Sequence, residues 1–454
     1  MPAEVSGRQF TRRDVLGAAG VSLAAWPKAG QGAANQRPNI ILINTDDQRF
    51  DTIRALGNKE ILTPNLDSLV RHGMTFGNFY SQGGMVSAMC LPSRTMLMTG
   101  RSLFRIPGPH EPPRDIPMLP RIFEKAGYAT YHNGKKGNTY VPASEAFQKT
   151  VYAPDGQAFE LRTHSSELLA DSAIEYIMSS DPAKPFFAYL APPVPHDPRF
   201  APQKFMDMYD PAKITLPGNF MPQHPFDYGD PGSRRDENLA PFPRTPEVMR
   251  RHLADYYATI TCLDYHVGRI LDELKKSGRS KNTLVVFTSD QGLAVGGRHG
   301  LMGKQNLYEH FKGPLIFTGP GIPHGKSNAL AYMHDLLPTL CELAGIDIPT
   351  GVEGTSFAPA VRGKKQEAHE HIFAAYTDCQ RMIRDNRYKL IWYPKVGRYQ
   401  LFDLASDSLE LDNLAEKPAH AARLEALKQK MTEHQDKFSD KLVARPTRKS
   451  ASAD

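Results

Sequence analysis

The sequence predicts an α/β protein: a large, mostly parallel sheet flanked by helices, then a small subdomain of antiparallel sheet and helix. Three observations lead there. Short, nearly unbroken apolar runs recur over the first three quarters of the chain, as in strands buried on both faces of a parallel sheet. Segments of helical periodicity alternate with them, the signature of an α/β sandwich. After about residue 365 the runs become short and closely spaced, with turn residues between them, which favours antiparallel pairing.

Taken in order, the first strand is Ile40-Ile41-Leu42-Ile43, running into Asn44-Thr45-Asp46-Asp47. Pro64 to His72 carries Leu66, Leu69 and Val70 on one helical face, and Met118 to Gly127 carries Leu119, Ile122 and Phe123. Ala129-Thr130-Tyr131-His132 then runs into Asn133-Gly134-Lys135, and Phe186 to Leu190 leads to Pro195-His196. Residues 249–276 form the longest helical pattern, from Leu253 to Leu274. Leu284-Val285-Val286-Phe287 leads to Ser289-Asp290-Gln291, and Leu315-Ile316-Phe317 to Gly319. The stretch between His196 and Arg250 is proline-rich and lacks periodicity. Its aromatic residues, among them Phe205, Tyr209 and Phe242, predict an ordered lid over residues 198–248, with Arg234 and Arg235 as candidate substrate contacts. In the C-terminal part, His371 to Tyr376, Met382 to Arg384, Tyr388 to Trp392 and Tyr399 to Phe402 read as strands. A helix with Leu424, Leu427, Met431 and Phe438 on one stripe follows.

The predicted organisation is an export signal over 1–34, a catalytic domain over 35–365, a C-terminal subdomain over 366–438 and a flexible tail over 439–454. Arg12-Arg13 precede a weakly apolar, Gly/Ala-rich stretch that ends at the small residues Gly32-Ala33-Ala34, the pattern of a twin-arginine signal. Export to the periplasm or beyond is the expectation, with no lipid anchor and no stable membrane anchor. No apolar run reaches the roughly 20 residues that a membrane helix needs. The net charge of +6 is mild, and no basic stripe suggests nucleic acid. Four scattered cysteines exclude a disulfide scaffold or a zinc cluster.

The chemistry gathers where strands end. In parallel sheets ligands sit beyond the carboxyl ends of the strands, and Asp46, Asp47, Lys135, His196 and Asp290 all occupy that position in sequence. A further candidate is Cys90, two residues before Pro92 at the predicted start of a helix. Arg94 lies one turn on, able to return its guanidinium to a helix end that already favours anions.

The segment Cys90-Leu91-Pro92-Ser93-Arg94, followed by Thr99-Gly100-Arg101, resembles the signature of the type I sulfatases of the alkaline phosphatase superfamily. The ordered companions resemble the same family: Asn39 to Asp47, Gly134-Lys135, Pro195-His196-Asp197-Pro198, Ser289 to Gly292, His299 to Lys304, and Leu401 to Leu404. The resemblance implies hydrolysis of a sulfate monoester, with Cys90 converted to formylglycine by a formylglycine-generating enzyme. It implies calcium held by Asp46, Asp47, Asp290, Gln291 and residue 90, all-oxygen ligands once residue 90 is modified. One hydroxyl of the hydrated aldehyde would attack sulfur, and the other would expel sulfate. Arg94, Lys135 and Lys304 would clamp the sulfate charge, His196 would protonate the leaving oxygen, and His299 would line the substrate site. The expected substrate is a sulfated small molecule or oligosaccharide; a phosphodiester or phosphonate monoester is the alternative. A non-catalytic sulfoglycan-binding protein is a third reading, which the intact residue set opposes. Two positions depart from the family pattern: Gly137 and Asn138 stand where many relatives place a histidine, and Gln291 where Asn or His is commoner.

Overall fold

The computed structural model describes residues 37–111, 116–153, 164–229 and 236–442. The twin-arginine segment, Arg234, Arg235 and residues 443–454 of the tail lie outside the described residues.

Among the described residues, nine strands dominate the catalytic part: β1 (Asn39–Thr45), β2 (Met74–Tyr80), β3 (Gly83–Gly84), β4 (Ala129–Lys135), β5 (Lys149–Ala153), β6 (Phe186–Ala191), β7 (Thr283–Ser289), β8 (Leu315–Thr318) and β9 (Gly325–Tyr332). All but β3 form one sheet of order β5-β4-β6-β1-β7-β8-β2-β9. β1 is parallel to both β6 and β7, β4 is parallel to β5 and β6, and β2 is parallel to β9. β8 alone runs antiparallel to its neighbours β7 and β2. The Leu315–Phe317 run, which sequence grouped with the others, therefore ends in Gly319 at the opposite edge from Asp46.

The main helices are α1 (Pro64–His72), α2 (Cys90–Thr99), α3 (Leu119–Lys125), α4 (Ser165–Ser179), α5 (Pro246–Lys276), α6 (Leu336–Leu343) and α7 (Ala421–Phe438). They cover both faces of the sheet, and the alternation along β1 shows how. Ile40 and Leu42 pack with Leu97 of α2, Phe123 of α3 and Leu340 of α6. Ile41 and Ile43 pack with Leu69 of α1, Ala173 of α4 and Val267 of α5. All four β1 side chains are at most 1% exposed, so each is worth roughly 1.5–3 kcal/mol of apolar burial. Residues 198–229 and 236–245 are largely ordered by burying Phe205, Tyr209 and Ile214 against α5.

The second sheet is β10 (Ile372–Tyr376), β11 (Gln380–Arg384), β12 (Tyr388–Tyr393) and β13 (Arg398–Asp403), all antiparallel. One face packs on α7 through Ile383, Leu390, Leu427 and Met431, the other on catalytic-domain loops through Ile391, Phe402, Leu307 and Phe311. β3 joins this sheet, parallel to β10, although it lies in the segment leading to α2. Gly83 is obligatory there: its φ is +95°, and an added Cβ would sit 1.9 Å from the Ala375 carbonyl oxygen. Two backbones meet too closely for any side chain.

Candidate active site

The strand order β4-β6-β1-β7 places four carboxyl ends side by side. Thr45 and Ser289 are register partners, and the Asp290 N–H donates to the Thr45 carbonyl at 3.1 Å, so Asp46 and Asp290 emerge together. Lys135 is the last residue of β4, and His196 follows β6. α2 starts at Cys90, which its helix N-terminus presents to the same edge.

These residues form one buried cluster. Cys90 Sγ lies 3.1 Å from Asp46 Oδ1, 3.9 Å from Asp47 Oδ1, 3.2 Å from Gln291 Nε2 and 3.4 Å from Lys304 Nζ. Lys304 Nζ donates to Asp47 Oδ2 at 2.7 Å, and Lys135 Nζ donates to Asp46 Oδ2. Arg94 straddles the acids, with Nε 3.3 Å from Asp290 Oδ2 and Nη2 3.6 Å from Asp46 Oδ2. His196 Nε2 is 3.7 Å from Asp47 Oδ2, while Nδ1 is 2.6 Å from the Asp197 carbonyl. A proton on Nδ1 donated to that carbonyl fixes the ring so that Nε2 faces the acid side.

Electrostatics follow from burial and company. Burial opposes charge on Asp46, yet Lys135 and Arg94 hold its carboxyl well below the usual carboxylate range. Burial likewise works against Asp47, and Lys304 and His196 pull it down. Asp290 is pushed up to about 7, first by burial and then by the charge of Asp46. Burial, reinforced by Asp290 and Asp46, drives the Cys90 thiol well above its ordinary range. The thiol is therefore protonated at neutral pH and a poor nucleophile.

The donor set suits a hard cation. Ligand atoms of Asp46, Asp47, Cys90 and His196 all lie within 4.8 Å of one another. Among the described residues Gln291 Oε1 is buried without a hydrogen-bond partner, and turning the amide over would put this oxygen where Nε2 now faces Asp47 and residue 90. Two carboxylates and an amide oxygen would then face one point, the kind of oxygen donor set a hard cation takes. Asp290 joins more weakly: its Oδ1 already accepts from the N–H groups of Asp47 and Gln291. Among the described residues, both terminal nitrogens of Arg94 are buried without a hydrogen-bond partner, leaving donors for an anion's oxygens.

Not every expected residue is in the cluster. His299 is turned away: its Nε2 lies 3.1 Å from the carbonyls of Leu409 and Glu410, and its ring stacks on Tyr308 at 3.8 Å. In this geometry its ring ties the post-β7 loop to the C-terminal subdomain. Asn138 is exposed in the turn after β4, with a φ of +50°. Other residues escaped sequence reasoning. The Tyr256 hydroxyl donates to the Asp47 carbonyl at 2.7 Å, supporting a residue whose φ is +68°. Asp236 Oδ2 lies 3.8 Å from Lys304 Nζ, and Ser93, known from the signature but given no role there, donates from Oγ to the Asp290 carbonyl at 2.7 Å. Tyr256 reads in sequence only as one apolar position of a long helix, and Asp236 carries no motif.

The sulfatase family profile matches residues 38–346. The chain belongs to the sulfatase family. A second profile, the C-terminal region of N-sulphoglucosamine sulphohydrolase, matches residues 297–437. An arylsulfatase of Clostridium perfringens is 26% identical, the match covering 86% of this chain and 93% of the relative. An N-acetylglucosamine-6-O-sulfatase of Bacteroides thetaiotaomicron is 25% identical, covering 94% and 91%. Among solved structures, one in complex with its substrate D-glucosamine-2-N,6-O-disulfate shares the fold at a TM-score of 0.75 and 21% identity, covering 89% of this chain and 99% of that one. A phosphonate monoester hydrolase of Agrobacterium radiobacter also shares the fold, at a TM-score of 0.75 and 22% identity, covering 88% and 96%. This sulfatase is a sulfuric ester hydrolase of alkaline-phosphatase-like architecture.

Proposed function

We propose that this sulfatase cleaves a sulfate monoester of a saccharide, using formylglycine at position 90 and a bound calcium ion. The observation that carries the reading is the setting of Cys90. Its thiol is held protonated by burial beside Asp290 and Asp46, so as cysteine it has no evident catalytic use, and its sequence context resembles that of a converted residue. Formylglycine would supply a geminal diol, one hydroxyl to attack sulfur and the other to expel sulfate. Calcium, held by Asp46, Asp47, Asp290, Gln291 and residue 90, would polarise the sulfate and favour an ionised nucleophile.

The chain's own groups do the rest. Arg94, Lys135 and Lys304 at least balance Asp46, Asp47 and the partly protonated Asp290, so a divalent ion would leave the site positive and receptive to an anionic ester. The terminal nitrogens of Arg94 bind sulfate oxygens and hold sulfur over residue 90. Lys135 and Lys304, each already paired with one acid, stay charged and add donors on the two flanks. Burial disfavours their charge, but Asp46 raises the affinity of Lys135 for its proton and Asp47 that of Lys304. His196 Nε2 carries the proton for the leaving oxygen. A saccharide substrate is supported by relatives named for N-acetylglucosamine and ulvan sulfates. Residues 198–229 and 236–248, packed on α5 through Phe205, Tyr209 and Ile214, would serve as lid over the substrate. Export through the N-terminal signal completes the reading. Among the described residues, no helix is long and apolar enough to cross a membrane.

The test has two arms. Peptide mass spectrometry of active protein from a competent host should find the aldehyde at position 90, and thiol-only protein should be inactive. Chelation should abolish sulfate release from a panel of sulfated oligosaccharides, and calcium should restore it better than zinc, which prefers His and Cys ligands. Full activity of the thiol form, or of metal-free protein, would sink the mechanism. Faster release from an aryl phosphonate than from the matched sulfate would favour the phosphonate alternative.

A further inference from the structure

A second buried charge cluster lies behind the active site, and the chemistry above uses none of it. Glu309 opens a short 3-10 turn, Glu309–Phe311. Its carboxylate accepts from the Tyr80 hydroxyl at 2.9 Å and pairs with Lys312 at 2.7 Å, Arg384 at 3.1 Å and Lys389 at 3.2 Å. Its backbone N–H donates to Glu410 Oε2 at 2.6 Å, and Glu410 in turn pairs with Lys389 at 2.8 Å. Every member is buried, Lys389 completely. Arg384 ends β11 and Lys389 lies in β12, so the C-terminal sheet grips this turn through charge.

The turn touches both acidic loops. The Phe311 carbonyl accepts from the Gly292 N–H at 2.8 Å, directly after Asp290-Gln291. The Lys312 carbonyl accepts from the Phe50 N–H at 3.0 Å, three residues after Asp47. Gly292 lies flat on the turn: an added Cβ would be 2.2 Å from the His310 carbonyl oxygen and 2.6 Å from that of Lys312. One short turn is thus the common floor of both segments that would ligate the cation.

Buried ion clusters are a costly way to gain stability, since well-packed apolar groups do as well or better. What they supply is fixed geometry, because every partner must sit in place. We propose that Glu309 is a positioning residue: held by Arg384 and Lys389 of the C-terminal sheet, it sets the spacing of the Asp46–Asp47 and Asp290–Gln291 loops and thereby the affinity for the cation. The inference rests on the calcium reading above.

The experiment measures calcium affinity by titration calorimetry on chelator-stripped protein carrying the aldehyde at position 90, beside melting in chelator. Lys389→Met keeps the volume and removes one grip, Tyr80→Phe removes one hydroxyl, and Glu309→Gln removes the charge. Groups that orient metal ligands are worth about 10–100-fold in metal affinity, so Glu309→Gln and Lys389→Met should weaken calcium by about 10-fold or more, and Tyr80→Phe by less. Steady-state KM at saturating calcium should stay near wild type. If Glu309→Gln does not fold, Lys389→Met and Tyr80→Phe decide. Calcium affinity within about twofold of wild type in the folded variants, with only the melting temperature lowered, would overturn the proposal and leave a purely structural cluster. A wild type that takes up no calcium would instead overturn the cation reading itself.

Discussion

His196 lies close to Asp47 through Nε2 while Asp197 fixes the other side of its ring, and this arrangement makes a definite kinetic statement. A sugar alcohol is a poor leaving group and needs a proton as its bond to sulfur breaks; a nitrophenolate needs little help. General acid catalysis contributes about 10²–10⁴-fold, so His196→Ala should cost about that on a sugar or alkyl sulfate. On a nitrophenyl sulfate the loss should be only ~10-fold, from lost positioning. Equal losses on both would assign His196 to sulfate binding. Arg94 allows a second test at this scale. Its planar fork spans Asp46 and Asp290 and still offers two nitrogens, which an ammonium cannot do. Arg94→Lys should lower turnover by about 10²-fold, with the melting temperature falling little; activity within a small factor of wild type would show that charge alone suffices. At this scale sequence reading went far, because strand-end position singled out Asp46, Asp47, Lys135, His196 and Asp290 one at a time. It could not give the orientation of His299, which shares a loop with Lys304 but stacks on Tyr308. Whether a ring turns inward or back towards Tyr308 depends on Leu409 and Glu410, about 110 residues away in the chain.

Between the elements, the two-residue strand β3 has an influence larger than its length. It belongs to the C-terminal sheet yet lies only a few residues ahead of α2, so the register of Gly83 against Ala375 helps place Cys90. Gly83→Ala must strain a left-handed backbone, at about 1–3 kcal/mol, and also push β10 away. We expect a lower melting temperature together with a fall in turnover out of proportion to the folded fraction. Unchanged turnover in the folded fraction would mean that α2 is placed by its own packing alone. Sequence could not reveal β3, since two glycines carry neither periodicity nor propensity for a strand. The antiparallel sense of β8 was hidden for a related reason: Leu315 to Phe317 is as apolar as the parallel strands, and direction comes from connections, not composition. The helices α1, α5 and α7 and the four strands of the second sheet were legible because their apolar spacing is strong and their turns are marked by Gly, Asp and Asn.

For the whole molecule, stability in acid should depend on the charged cluster between the two sheets. Burial works against the charge of Glu309, but Lys312, Arg384 and Lys389 hold its carboxyl well below the ordinary range. A carboxyl with a depressed folded value contributes stability that is present above its unfolded value, about 4.3, and lost as pH falls through the folded one. The melting temperature should therefore drop on acidification below about 4. Glu309→Gln, less stable at neutral pH, should show a shallower drop, having no carboxylate there to protonate. Parallel acid limbs in the two proteins would remove Glu309 from the account. Nothing in the sequence announced this cluster: its members come from β2, the turn after β7, β11, β12 and the loop after β13. Only the folded chain brings Tyr80, Glu309, Arg384, Lys389 and Glu410 together.

Cys90 is 1% exposed, sealed under Asp46, Gln291 and Lys304. If another enzyme must oxidise it, burial sets a deadline. That enzyme needs the segment as an accessible strand of peptide, before β1, β7 and the C-terminal sheet have closed over it. Folding and modification therefore compete in time, and the fraction of active molecules records which finishes first. A faster-folding variant, more stable by every equilibrium measure, would leave the cell with more thiol and less enzyme. Sluggish assembly would then be an asset, and active yield would be governed by a race between two rates instead of by a free energy.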